Sequence, residues 1–201
     1  MILYVETNFP MSIATGRDPQ ANTLLLNPAA SVQIAIPSVC YMEALSALEA
    51  DQKYRRRFSD ELQLRLSDAQ RNLSSQHAQS LSLHLRQALN QNELLLQEVK
   101  DILRQALNQL ATTAEFITLT ADILEDGLQP SITNEPTDKL ILSCILNHAR
   151  SHPTEVKVFL SGNTKDFGKR EVQEALQNVG VNQYFSSTQA FLDWLRSQPS
   201  L

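Results

Sequence analysis

The chain has 201 residues, enough at about 100–200 residues per domain for one domain that buries its own core without disulfide or metal staples. Its 17 Lys+Arg against 22 Asp+Glu leave a formal charge of −5, which excludes a protein that coats nucleic acid non-specifically; any such contact has to be a local site. A hydrophobic content of 42% with 19% charged residues excludes global disorder.

No apolar run approaches the roughly 20 residues of a membrane span. The start, Met1-Ile2-Leu3-Tyr4-Val5-Glu6, has no basic region before its apolar run and does not fit a signal peptide. A soluble, cytoplasmic protein without membrane contact is expected. Cys40 and Cys144 lie in apolar helical patterns and read as small buried hydrophobes rather than a disulfide or a zinc site.

Ile2–Val5 is a nearly continuous apolar run, as in a parallel strand buried on both faces. Thr7 or Asn8 can cap the short helix that follows, with Pro10 in its first turn and Gly16 and Pro19 closing it. A polar, alanine-containing stretch leads to a second buried strand, Gln33–Pro37, where Pro37-Ser38 stops the strand and starts a helix. Val39, Met42, Leu45, Ala47 and Leu48 give that helix an apolar face, and Glu43 sits near its first turns.

From Ser38 to Asp126 there is neither Gly nor Pro, so nothing obliges a helix to break. Leu62, Leu66 and Leu73, then Leu81, Leu85 and Leu89, then Leu96, Leu103, Leu107 and Leu110 recur at spacings that suit helices packed along a seam. Polar clusters at Asn72–Gln79 and Asn90–Asn92 are the places for turns. Residues 51–115 therefore read as a helical hairpin or small bundle inserted in a single domain spanning 1–201.

Beyond residue 116 the pattern alternates again. Thr120 caps a short helix ending at Gly127, and Thr133-Asn134-Glu135-Pro136-Thr137-Asp138 opens the next, which buries Leu140, Ile141, Cys144, Ile145 and Ala149. Val156–Leu160 is a strand, followed by the loop Ser161–Gly168 and a helix from about Lys169 to Asn178. Tyr184-Phe185 forms a last strand, and Thr188 caps an amphipathic terminal helix carrying Phe191, Trp194 and Leu195. Strands alternating with helices imply a parallel sheet with right-handed crossovers.

In such a sheet the functional crevice lies beyond the carboxyl ends of the strands. This sequence places Glu6, Glu43, Asp138, Asn163 and Asp166 at or next to those ends, with Lys139 and Lys165 nearby. Four carboxylates on one edge are costly unless a cation neutralises them. All-oxygen ligation suits Mg²⁺ or Mn²⁺, and such a site serves phosphodiester cleavage.

The order Val5-Glu6-Thr7-Asn8, Pro37-Ser38 to Glu43, Pro136-Thr137-Asp138 to Leu142, and Phe159-Leu160-Ser161-Gly162-Asn163-Thr164-Lys165-Asp166-Phe167 resembles the PIN-domain family over residues 1–50 and 116–190. The resemblance implies a three-layer α/β fold, a central parallel sheet between helices, here with an inserted helical hairpin. It also implies a metal-dependent ribonuclease. Carried over, Glu6, Glu43, Asp138 and Asp166 are the catalytic and metal-binding acids. Asn8, Ser161, Asn163 and Lys165 would meet substrate or water, and in the ribonuclease reading the local cations Lys139, Lys165, Lys169 and Arg170 would hold the RNA phosphates. Two positions depart from the family pattern: Glu6 stands where Asp is usual, and Asn163 where many relatives have an acid.

The leading expectation is thus Mg²⁺- or Mn²⁺-dependent hydrolysis of single-stranded RNA. One alternative is a weak or inactive PIN-like module that binds RNA or a protein partner through the hairpin, where Lys53-Tyr54-Arg55-Arg56-Arg57-Phe58 interleaves basic and aromatic residues. Another is the toxin ribonuclease of a toxin–antitoxin pair; a homodimer is left open. Dinucleotide and triphosphate loops and a Gly-x-Ser-x-Gly elbow are missing. His77 and His84 read as exposed hairpin residues, and His148 and His152, one turn apart, as helix-end residues without a metal.

Overall fold

The structure, a computed structural model, describes residues 1–128 and 135–198. The expected helix-opening residues Thr133 and Asn134 lie outside the described residues. Two compact units separate within the chain: Met1–Ala44 together with Leu103 onward, and Leu45–Ile102.

The first unit is built on a five-stranded, all-parallel sheet in the order β3-β2-β1-β4-β5, with β1 Ile2–Val5, β2 Gln33–Pro37, β3 Glu115–Ile117, β4 Lys157–Leu160 and β5 Val181–Phe185. Every residue of β1 and β4 is buried; the apolar run of β1 predicts this for a strand covered on both faces, whereas β4 buries Lys157 along with its three apolar residues. Helices α1 Asn8–Ala14 and α2 Pro19–Leu26 connect β1 to β2. After β3 come α5 Ala121–Leu128 and α6 Pro136–Ser151, then α7 Thr164–Phe167, α8 Arg170–Gln177 and α9 Thr188–Ser197; the intervening α3 is Val39–Arg71 and α4 Gln76–Thr113. Helix α6 packs on β2 and β3, whereas α8 and α9 pack on β5. The core centres on Tyr4, Phe159 and Phe167, the two phenylalanines meeting edge to face at 5.2 Å.

Several elements differ from the sequence expectation. Pro19 does not close a helix but opens α2, at whose N-cap Asp18 accepts the Gln20 and Ala21 N–H groups. Strand β3 carries no periodic pattern, because it has three residues and only Ile117 is buried. The loop after β4 contains a turn of helix, α7, and Ser187 rather than Thr188 caps α9. Thr7 occupies the N-cap of α1, yet its side chain makes no cap bond there. Both cysteines are buried and free, as expected.

In the second unit the α3 and α4 segments form the helical pair, with the break at residues 72–75 only. Asn90–Asn92 is not a turn. Asn92 is 8% exposed and its amide donates to the Arg55 carbonyl at 3.1 Å and the Ser59 hydroxyl at 2.9 Å, while Arg55 reaches its Oδ1 at 3.4 Å. A satisfied buried amide between two helices fixes their register. Leu66 and Val99 are buried, whereas Leu73 and Leu81 are exposed and lie outside the seam. Asn92→Ala leaves the Ser59 and Arg55 groups without their partner. It is expected to lower stability by about 1–3 kcal/mol, read as a lower urea midpoint.

Candidate active site

The strand order runs one way from β1 through β2 to β3 and the other way from β4 to β5, so the topological switch point lies between β1 and β4. Val5 pairs with Leu160 there, and Glu6 and Ser161 are therefore the first residues beyond two adjoining strands. The Ser161 hydroxyl donates to Glu6 Oε1 at 2.9 Å, and the Asn8 backbone N–H donates to Oε2 at 2.7 Å. Glu6 is 3% exposed. Desolvation outweighs these two bonds and raises its pKa to about 7, with further upward pressure from Glu43 and Asp138.

Glu43 enters from α3, which starts directly after β2, and accepts a hydrogen bond from the Thr7 hydroxyl. Thr7 thus ties the β1 loop to α3, a role that the capping reading missed. Asp138 lies in the first turn of α6 and is buried. Its pKa is raised to about 6, first by desolvation and then by the charges of Asp166 and Glu43. Asp166, buried on α7, moves the other way because the Lys169 ammonium donates to its Oδ1 at 3.0 Å.

Asn163 joins the two aspartates. Its Nδ2 donates to Asp138 Oδ2 at 3.2 Å, and its Oδ1 accepts the Asp166 N–H at 3.3 Å, while its own N–H donates to Ser161 Oγ at 3.0 Å. An acid at this position would offer Asp138 a repulsive partner, so the amide lets the carboxylates stay close. Tyr184 fixes the Ser161 carbonyl at 2.9 Å.

Glu6, Glu43, Asp138 and Asp166 are thus gathered at one sheet edge, each within electrostatic reach of another. Of the expected substrate contacts, Ser161 and Asn163 are part of this network. Asn8 takes part through its backbone while its side chain is exposed, and Lys165 is exposed. Of the cations expected to meet phosphates, Arg170 pairs with Glu174 on the surface. A cavity of about 70 Å³ flanks Glu6, lined by Asn8, Ser12, Asp18, Ser161 and Thr188 among others. It has room for a few waters beside the Glu6 carboxylate.

A family model for the PIN domain matches residues 3–167. The chain belongs to the PIN-domain family. Among solved structures, a similar one is the crystal structure of VapBC2 from Rickettsia felis bound to a DNA fragment from its promoter. It is 14% identical, covers 91% of this chain and 97% of that one, and has a TM-score of 0.34, too distant a likeness to argue from. No curated protein matches significantly.

Membership of the PIN family supports a nuclease-type function, and PIN domains generally use divalent metal ions. The four carboxylates at this edge are hard oxygen donors, the chemistry that a divalent cation requires, with no sulfur or imidazole among them; burial and mutual repulsion raise the pKa values of Glu6 and Asp138. Among the described residues no helix is long and apolar enough to cross a membrane.

Proposed function

We propose that this PIN domain is a divalent-metal-dependent ribonuclease that cleaves phosphodiester bonds of single-stranded RNA in the cytoplasm. The observation that supports the reading is the gathering of Glu6, Glu43, Asp138 and Asp166 at the switch point between β1 and β4. Asp138 and Asp166 would hold Mg²⁺ or Mn²⁺, with Glu43 and Glu6 completing the site. The bound ion would neutralise the carboxylates, polarise the phosphate and lower the pKa of water.

The chain's own groups then do the rest. Ser161 Oγ and the Asn8 N–H fix the Glu6 carboxylate, so that either oxygen can take a proton from water arriving from the adjoining cavity. Thr7 holds Glu43, and Asn163 holds Asp138 and the α7 turn in register. Such preorganisation matters because errors of about an ångström cost on the order of a hundredfold in rate. Lys169, already beside Asp166, supplies positive charge for the phosphate.

The test is to incubate the purified protein with labelled single-stranded RNA and Mn²⁺, Mg²⁺ or a chelator. Cleavage that requires the ion is expected. No cleavage by the folded protein with either ion would overturn the reading. It would favour a binding module, for which Tyr54, 73% exposed, Phe58, 47% exposed, and the exposed Arg56 and Arg57 are the relevant surface.

A further inference from the structure

At the end of α6 opposite Asp138, three metal-ligating side chains meet. His148 and His152 stand one turn apart with their rings stacked at 4.2 Å. Glu115, the first residue of edge strand β3, places its Oε1 3.0 Å from His148 Nε2. One ligand atom from each of the three lies within 4.8 Å of the others. The helical spacing of the histidines is visible in the sequence. The arrival of Glu115 from a strand paired next to β2 is not.

The hydrogen bonds set the tautomers. His152 Nδ1 is 2.8 Å from the His148 carbonyl oxygen, which only accepts, so Nδ1 carries the proton and Nε2 keeps its lone pair. His148 Nδ1 is 3.0 Å from the Tyr4 hydroxyl, which can donate or accept. His148 can therefore present Nε2 either as a donor to Glu115 or as a lone pair to a cation, with Nδ1–H then donating to Tyr4. A metal-bound histidine ordinarily has such an orienting partner on its other nitrogen. The turn that carries His152 is itself pinned, since buried Lys157 donates to the Ala149 and His152 carbonyls at 2.9 and 2.7 Å.

The geometry points to a transition-metal site formed by Glu115, His148 and His152 that takes Zn²⁺ and fastens edge strand β3 to α6. Two imidazoles and a carboxylate are a zinc donor set and a poor one for Mg²⁺. The Glu115 side chain is 40% exposed, which leaves an entry path and a fourth position for water. Ten residues of α6 separate His148 from Asp138, about 15 Å along the axis, so the ion is structural and independent of the acidic site.

Zn²⁺ titrated calorimetrically into the full chain in excess Mg²⁺ tests this, with His152→Gln and Glu115→Gln as variants; His148 is left alone because it partners buried Tyr4. One equivalent is expected to bind the wild type and to raise its thermal midpoint. Both variants should remain folded by circular dichroism, bind Zn²⁺ more than about tenfold more weakly and lose the midpoint shift. Absence of binding to the wild type, or unchanged affinity in the two variants, would overturn the site.

Discussion

Asp138→Asn is expected to reduce metal-dependent RNA cleavage by at least about a hundredfold while preserving the fold. The substitution is nearly isosteric, and the new Oδ1 can still accept the bond from Asn163 Nδ2. What disappears is a negative charge buried among Glu43, Asp166 and Glu135. The same loss of charge makes the metal-free variant more stable than the wild type above pH 6, because a carboxylate that burial and like charges oppose no longer has to ionise. The two measurements, initial cleavage rate in Mn²⁺ and thermal midpoint in chelator, should move in opposite directions. That opposition marks a residue kept for chemistry at a cost in stability. A variant that cuts at the wild-type rate would remove Asp138 from the site.

The second large effect is on stability against pH in the absence of metal. Glu6 titrates near 4.5 when unfolded and about 7 when folded, and Asp138 near 3.8 and about 6. Both folded pKa values are raised, so the native state binds more protons than the unfolded chain between these limits. Stability is then greatest below the unfolded values and is lost as the pH rises through the folded ones. For Glu6 the loss is on the order of 3 kcal/mol once the pH passes 7. Asp166, lowered by Lys169, contributes in the opposite sense and only where the pH falls below the normal aspartate range.

Glu6→Gln isolates the main contributor. Its amide can accept from the Asn8 N–H and donate to Ser161 Oγ, so the site stays bonded without the charge. The stability advantage of the variant should grow from about pH 4.5, level off above about 7 and shrink when Mn²⁺ or Mg²⁺ is added. A difference that is flat across this range would mean that Glu6 is not held protonated by its surroundings.

Much of this arrangement is legible in the residues, and the exceptions have physical causes. The unbroken apolar run at Ile2–Val5 announces a strand covered on both faces, Val156–Leu160 reads as a strand despite Lys157, and the acids immediately beyond strands or at helix starts follow from that placement. Pro19 misleads because proline suits the first turn of a helix as well as the end of one. Asn90–Asn92 misleads because three polar residues resemble a turn when the partner groups of Asn92, more than thirty positions away, are out of sight. Thr7 reads locally as a cap, yet its hydroxyl finds Glu43 across the fold. Lys169 reads as a phosphate-binding cation, and only the α7 turn shows it already bonded to Asp166. In each case the local pattern is sound and a distant contact decides the role.

The parallel pairing of β1 with β4 also orders events in time. Glu6 and Ser161 are 155 residues apart, so β1 leaves the ribosome with one edge unpaired and waits for its second neighbour. At about 5–20 residues per second, the interval between the synthesis of Glu43 and that of Asp138 is on the order of ten seconds, and Asp166 follows later. Throughout that interval the nascent chain holds only Glu6 and Glu43 of the four site carboxylates, and the repulsion that Asp138 adds to them is still missing. Under the proposed function, the acidic site stays incomplete until Asp166, in the last quarter of the chain, has been made.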